Sequence, residues 1–322
     1  MSALGPRGQD PASIAALAAS LAEELRDVAL PLLGSPQARE HVGLAEGGDV
    51  TFAIDELAEQ RVESFLAENA PSVAFYSEDR GMVTPSDADP EWVLVVDPVD
   101  GTRPAVAGLE SCCVSIAAAR LSSEPTIGDV EAACVLEIKS GARFEAVAGG
   151  GLNPGARLSE CRDVGRMFWT YGLRGRPTRA LMEVLADLVD ASSVGGASFD
   201  LGSASFDMTR IVTGQLDAYV EPGPRLVEEI PGMREEFERI GGGAVLNNTP
   251  YDLAAAWLCL VEAGAVVTDA SGRGLETRPL LGSGPEHQIS CIACSTEELH
   301  GQICRAVEHG IARVAQVGRG DG

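Results

Sequence analysis

Apolar positions recur along this chain with two periods. Asp10-Pro11 pairs a capping side chain with a proline suited to a first helical turn, and Ile14, Leu17, Leu21, Leu25 and Val28 then follow at helical steps. That spacing predicts an amphipathic helix. A second is expected over residues 55–70, with Leu57, Val62, Phe65 and Leu66 on its apolar side. Short strand-like runs follow at residues 73–76 and 92–96. From Cys112 the period shortens: "CCVSIAAAR", "EAACVLEI" and "ARFEAVAG" are consecutive strand candidates divided by Ser-, Pro- and Gly-rich turns, which predicts an antiparallel sheet.

The second half alternates instead. Strand "RMFWTY" is followed by helices "PTRALMEVLADLVD" and "SASFDMTRIVTG", strand "LDAYVEP", helix "PYDLAAAWLCLVEAG" and strands "AVVTD" and "QISCIAC". A last helix is expected over residues 296–317. Alternation of this kind favours layered α/β packing. The chain therefore reads as an α+β part over 1–150 and an α/β part over 151–322 that work as one unit. Residues 222–250 fit neither pattern: turns bound them and a short charged helix falls between, so they are expected to be an ordered loop near the site.

At 322 residues, 45% hydrophobic and mean hydropathy +0.07, the chain can bury a substantial core. No apolar run approaches the ~20 residues of a membrane span. The N-terminal "MSALGPRGQDPAS" lacks the layout of a signal peptide, so a soluble intracellular protein is expected. With 48 acidic residues against 24 basic and a net charge of −24, nucleic-acid and anionic-membrane binding are disfavoured. Lys139 is the sole lysine. Eight cysteines in a chain this long do not make a small disulfide scaffold, and Cys291-Ile-Ala-Cys294 lies in an apolar, strand-like stretch with no second pair to complete a zinc site.

The chemistry gathers at acids that end or begin elements. Asp55 opens a helix, Glu78 follows a strand in "YSEDRG", Asp97 and Asp100 follow "WVLVV" in "DPVDGT", and Asp252 opens another helix. Asp55 and Asp252 each also read as ordinary helix caps, and "SED" as a surface turn. "DPVDGT" resists so plain a reading, because a turn needs neither both acids nor the apolar run before them. Crowded carboxylates repel, and a hard divalent cation with oxygen ligands, above all Mg²⁺, relieves them. Asp97 and Asp100 would face opposite ways on a strand, but a bend at Pro98 lets them converge, with the Val99 carbonyl between them. Gly101 and Thr102 are placed to offer free N–H groups to a phosphate.

These motifs resemble those of the inositol monophosphatase family. "DPVDGT" is similar to its central signature, "YSEDRG" to its upstream acidic element, and "GDVTFAID" to its Thr–Asp element. "GSASFDMTRIVTGQLDAYVE" and "YDLAAAWLCLVEAGAVVTDASG" resemble its later motifs, so the likeness runs from about residue 12 to 295. The resemblance implies a five-layer α-β-α-β-α sandwich and a lithium-sensitive phosphatase using two to three Mg²⁺ ions. By the same resemblance Glu78, Asp97 and the Val99 carbonyl hold one ion, and Asp97, Asp100 and Asp252 hold a second, with a third leaning on Glu78. Asp55 and Thr102 would activate water, while Gly101, Thr102, Gly202, Ser203, Ala204 and Glu221 would bind substrate. A cytoplasmic homodimer acting on inositol phosphate or a similar sugar phosphate is implied. Enzymes of this fold acting on fructose 1,6-bisphosphate, 3′-phosphoadenosine 5′-phosphate or histidinol phosphate are alternatives, as is a non-catalytic homologue.

The chain departs from the family in places. Arg103, Pro104 and Ala105 stand where an Asn and an aromatic are frequent, and Phe199-Asp200 precede Gly202 where inositol-specific members carry Arg. Residues 222–250 form an insertion, and its Arg225, Arg234 or Arg239 are candidates to meet a second phosphate.

Overall fold

The computed structural model describes residues 10–45, 47–85 and 89–320, so most of the N-terminal stretch judged against a signal peptide lies outside it. Helix α1 (Pro11–Ala29) begins as its sequence predicts: Asp10 accepts from the Ser13 N–H at 2.8 Å, Pro11 opens the first turn, and Ile14, Leu17, Leu21 and Leu25 are buried. A small hairpin not evident in the sequence follows, β1 (His41–Leu44) against β2 (Val50–Phe52). Helix α2 (Ala53–Asn69) starts two residues before Asp55, because the Phe52 N–H is already capped by the Asp55 carboxylate at 2.9 Å.

The strands β3 (Ala74–Ser77), β4 (Gly81–Val83), β5 (Trp92–Asp100), β6 (Cys113–Arg120), β7 (Val130–Glu137), β8 (Arg143–Val147) and β9 (Gly151–Asn153) form one sheet, ordered β4-β3-β5-β6-β7-β8-β9. The run β6-β7-β8 is antiparallel, as its alternating pattern predicts, and a short helix α3 (Thr102–Ala107) leaves the end of β5. Small side chains suit this sheet to being covered twice: Ala117, Ala119 and Ala133 face one core while Ala118 and Ala132 face the other.

The second sheet takes β10 (Phe168–Tyr171), β11 (Ala197–Phe199), β12 (Ala218–Glu221), β13 (Val266–Thr268) and β14 (Cys291–Cys294), ordered β11-β10-β12-β14-β13. Between these strands run α4 (Thr178–Ser192), α5 (Ala204–Val212), α6 (Gly223–Glu229), α7 (Met233–Ile240), α8 (Pro250–Glu262) and finally α9 (Glu297–Gly320). Helices α1 and α2 cover the outer face of the first sheet, α5 and α8 lie between the sheets, and α4 and α9 cover the outer face of the second. Five layers result, α-β-α-β-α.

The segment 222–250 is ordered, as expected, but folds as two helices rather than a loop with one. Leu226, Ile230 and Phe237 bury against the outer core beside α4 and α9, which anchors it. Cys291 and Cys294 face opposite cores of the second sheet, so their spacing makes no pair. No helix among the described residues is long and apolar enough to cross a membrane.

Candidate active site

The strand β5 runs through Asp100 instead of ending before Asp97. Asp97 pairs with Ser115 and Asp100 with Cys113, so three steps on β5 oppose two on β6. That extra residue is a β-bulge. Residues three apart on a regular strand face opposite sides, and one inserted residue restores them to the same side. Pro98 suits the bulge, having no N–H to lose, and the Val99 N–H turns inward to the Asp97 carboxylate at 3.0 Å. A bulge therefore does what the sequence reading assigned to a turn.

Beyond Asp100 the chain must swing sharply into α3. Gly101 has φ +87°, and a Cβ there would lie 2.5 Å from the Ser111 carbonyl and 2.8 Å from the Ser203 Cβ, so no other residue fits. The Thr102 hydroxyl lies 3.0 Å from Asp55 and 3.1 Å from the Val99 carbonyl. Asp55 thus uses one oxygen as a cap and the other toward Thr102. Asp252 does the same on α8: it accepts from the Thr249 N–H at 2.6 Å and the Thr249 hydroxyl at 2.9 Å while facing the bulge. For both acids the capping reading and the site reading hold together.

Asp97, Asp100 and Asp252 each offer an oxygen within 4.8 Å of the others. Helix α5 fixes this group. The Ser203 hydroxyl and the Ser205 N–H donate to Asp100 at 2.8 and 2.6 Å, and the Ser205 hydroxyl donates to the Asp252 carbonyl at 2.7 Å. Glu78, at the tip of the β3–β4 hairpin, lies outside that group of three but lines the same cleft, as do Val99, Gly101, Thr102 and Gly202. Ser203 is spent on Asp100, and neither it nor Ala204 lines the cleft.

Glu221 is also absent from the cleft wall. It is fully buried, ion-paired to Arg176 at 2.5 Å, and accepts from the Gly223 N–H at 2.8 Å. The insertion holds this pair, since Arg176 also donates to the Leu246 carbonyl, Asn247 and Asn248. The three insertion arginines do not reach the cleft. Arg225 is buried against Glu229, Glu308 and the Ala270 carbonyl, Arg239 pairs with Glu236, and Arg234 is exposed on α7. Packing against α9 is what drew Arg225 inward.

Asp49, Thr51 and Arg174 in the cleft, and Glu59 beneath it, escape sequence reasoning, whereas Asp79 stands with Glu78 among the acids the sequence singles out. Asp49 precedes β2 and pairs with Arg103 at 2.9 Å and with Arg174 from the β10–α4 loop. Thr51 donates to Asp79 at 2.7 Å, and Glu59, one turn beyond Asp55 on α2, lies under the hairpin and accepts from Ser77 at 2.8 Å. Two arginines in "GLRGRP" of so cation-poor a chain were the one available signal.

Electrostatics follow from this crowding. Burial, then the charges of Asp100, Glu78, Asp252 and Asp55, holds Asp97 well above the usual carboxylate range. Burial and neighbouring acids raise Glu78 in the same way. Asp100 is pushed up to about 7 by burial and Asp252. Asp55 also rises to about 7, chiefly through burial, against the hydrogen bonds of Phe52 and Thr102. Asp49 behaves oppositely: burial opposes it, but Arg174 and Arg103 hold it at about 2. A set of oxygen donors so destabilised as anions, with no cationic side chain within the group of three, fits a hard divalent cation.

A sequence model of the inositol monophosphatase family matches residues 10–312. A fructose-1,6-bisphosphatase/inositol-1-monophosphatase of Methanothermobacter thermautotrophicus is 26% identical over 303 residues, covering 91% of this chain and 95% of that protein. The Nus factor SuhB of Vibrio cholerae is 27% identical over 231 residues, 70% of this chain and 73% of its own. Among solved structures, the Thermotoga maritima IMPase superposes with a TM-score of 0.69 at 17% identity, covering 93% of this chain and 98% of that one.

Proposed function

Because the chain belongs to the inositol monophosphatase family, we propose that it is a Mg²⁺-dependent phosphatase that hydrolyses a small sugar phosphate. The observation that carries this is the convergence of Asp97, Asp100 and Asp252, from two distant segments, beside the hydrogen-bonded pair Asp55–Thr102. Asp97, Asp100, Asp252, Glu78 and the Val99 carbonyl would hold two or three ions. Mg²⁺ bound there supplies Lewis acidity toward phosphate and a water of lowered pKa.

The protein's own groups divide the remaining work. Thr102 has one hydroxyl proton and two acceptors, Asp55 and the Val99 carbonyl, so it can pass a proton from water to Asp55. Asp55 is suited to take it, since its acidity lies near neutrality. The N–H groups of the first turn of α3 have no partner inside that helix and suit a phosphate oxygen. Gly202 lets the chain pass close to this turn, with φ +84° and Pro104 3.2 Å from where a Cβ would sit.

Family likeness also supports a cytoplasmic homodimer, which sedimentation of the purified protein would check. The relative named for both fructose 1,6-bisphosphate and inositol 1-phosphate hydrolysis supports a sugar phosphate as substrate. The reading is tested by phosphate release from a panel of sugar and nucleotide phosphates, with MgCl₂ or with EDTA. Mg²⁺-dependent release from one or more members is expected. Calorimetric Mg²⁺ binding with no turnover on the whole panel would instead favour the non-catalytic reading that the Nus-factor relative suggests.

A further inference from the structure

The hairpin tip that presents Glu78 is held from behind by helix α2. Glu56, Glu59 and Glu63 stand at helical steps on α2, and each reaches the turn between β3 and β4. The Arg80 guanidinium donates to Glu63 at 2.6 Å and to Glu56 at 2.9 Å, on the part-exposed rim of this contact. Glu59 lies inside it, 1% exposed, and its two oxygens take the two residues that flank Glu78. Oε2 accepts from the Ser77 hydroxyl at 2.8 Å and Oε1 from the Asp79 N–H at 3.4 Å. Ser77 extends the hold, its hydroxyl accepting from the Arg80 N–H at 3.3 Å.

A buried acid is a costly way to pack a helix against a hairpin. Burial, with the charge of Asp79, pushes Glu59 up to about 7, and the Arg80 guanidinium is occupied by Glu56 and Glu63. An apolar side chain of similar volume would cover the same surface at less cost, but it could not bond the backbone on both sides of residue 78. From the cleft, Thr51 takes the same turn through the Asp79 carboxylate at 2.7 Å. Asp55 stands one turn before Glu59, so α2 sets the acid beside Thr102 and the hold on Glu78 against one rigid reference.

We propose that Glu59 is a positioning residue, which aims the Glu78 carboxylate into the acidic cleft by fixing the backbone on either side of it. The inference rests on the Mg²⁺ reading and adds to it a residue outside the ligand set. Groups that orient metal ligands without touching the ion are commonly worth about 10–100-fold in metal affinity.

The test is Mg²⁺ binding to the metal-free protein by calorimetry, with thermal melts alongside. Glu59→Ala should weaken Mg²⁺ binding about 10-fold or more. Glu59→Gln, which keeps an oxygen for one of the two bonds, should recover part of that loss. Glu63→Gln loosens only the Arg80 side chain and should bind Mg²⁺ as the wild type does. Because Glu59 acts through Glu78, Glu59→Ala should cost little further affinity in a Glu78→Gln background. Ser77→Ala removes the same bond from its other partner, should weaken Mg²⁺ in the same direction, and serves if Glu59→Ala does not fold. Wild-type Mg²⁺ affinity in folded Glu59→Ala or Ser77→Ala overturns the proposal and leaves Glu59 a stabilising acid of the core. So does an equal loss from Glu59→Ala with and without the Glu78 carboxylate. A wild type that binds no Mg²⁺ defeats the metal reading itself, and this inference with it.

Discussion

Asp97 lies at the centre of the acidic group, so Asp97→Asn should move stability and function in opposite directions. Its oxygens come within 4.8 Å of those of Asp100 and Asp252. At that separation and an effective dielectric of about 20, each fully ionised pair repels by ~3.5 kcal/mol. Two such pairs amount to ~7 kcal/mol when fully ionised, which the protein reduces by holding protons. A gain of ~2–4 kcal/mol in the metal-free protein at pH 8 is the expected remainder, since the amide keeps the Val99 hydrogen bond through its oxygen. Unfolding entropy for 322 residues converts this at about 1.5 °C per kcal/mol, so Tm in EDTA should rise by ~3–6 °C. Mg²⁺ should stabilise the wild type and have little effect on the variant, and phosphate release should be lost. The assay is a pair of thermal melts, in EDTA and in MgCl₂, followed by turnover. A lower Tm in EDTA with circular dichroism unchanged would refute the repulsion argument. An undiminished Mg²⁺ shift in Asp97→Asn would refute the metal assignment.

The pH dependence carries the same sign. A carboxyl near 3.8 unfolded and near 7 folded, as for Asp55 and Asp100, keeps its proton only in the folded state between those values, so stability is full below about 4 and is lost as pH rises to about 7. Metal-free melts from pH 4.5 to 8 should show the decline while Mg²⁺ restores more at pH 8 than at pH 5; a flat metal-free profile would defeat this. Asp207 is buried inside α5 at 2% exposure, with burial and then Asp100 holding its acidity well down, so Asp207→Asn should raise Tm by about 1–3 °C at pH 8 and by less at pH 5. An unchanged or lower Tm at pH 8 would contradict that. Gly101→Ala must strain a left-handed backbone against the Ser111 carbonyl, at ~1–3 kcal/mol, and should reduce kcat more than stability because Asp100 and Thr102 flank it. Added LiCl at millimolar levels should inhibit turnover, and indifference would count against a site of two to three ions.

Most of the architecture was legible because it follows local rules. The apolar step of α1, the cap at Asp10 and the alternating small residues of β6 and β7 each name their own element. Segment boundaries near the site were less legible for one reason: functional side chains there also serve the backbone. Asp55 and Asp252 sit one turn inside their helices because each caps the residue three before it. The β5 bulge is invisible to a reading of β5 alone, since it exists only relative to the shorter count on β6. Likewise the hairpin β1–β2 is too short and too exposed for its pattern to register.

The cations were the least legible part, and the reason is energetic. An acid cluster advertises itself, because repelling groups need a common partner wherever they are found in sequence. A compensating arginine carries no such mark, since its partner is fixed only by folding. Arg225, Arg234 and Arg239 were plausible by proximity to the insertion, yet Arg225 was claimed by Glu229 and Glu308 on the far side of the second sheet. Arg174 and Arg176 stand two residues apart in one loop and meet opposite fates. Arg176, 8% exposed, neutralises Glu221 in the interior, whereas Arg174 shares Asp49 with Arg103 at the mouth. The insertion decides between them, because Asn247 and Asn248 hold Arg176 inward. Substitution of Asn247 and Asn248 by Ala should therefore free Arg176 and Glu221 together, destabilising the protein and weakening any discrimination among substrates. Unaltered discrimination in a folded double variant would show that the insertion only packs against α9 and has no part in shaping the cleft.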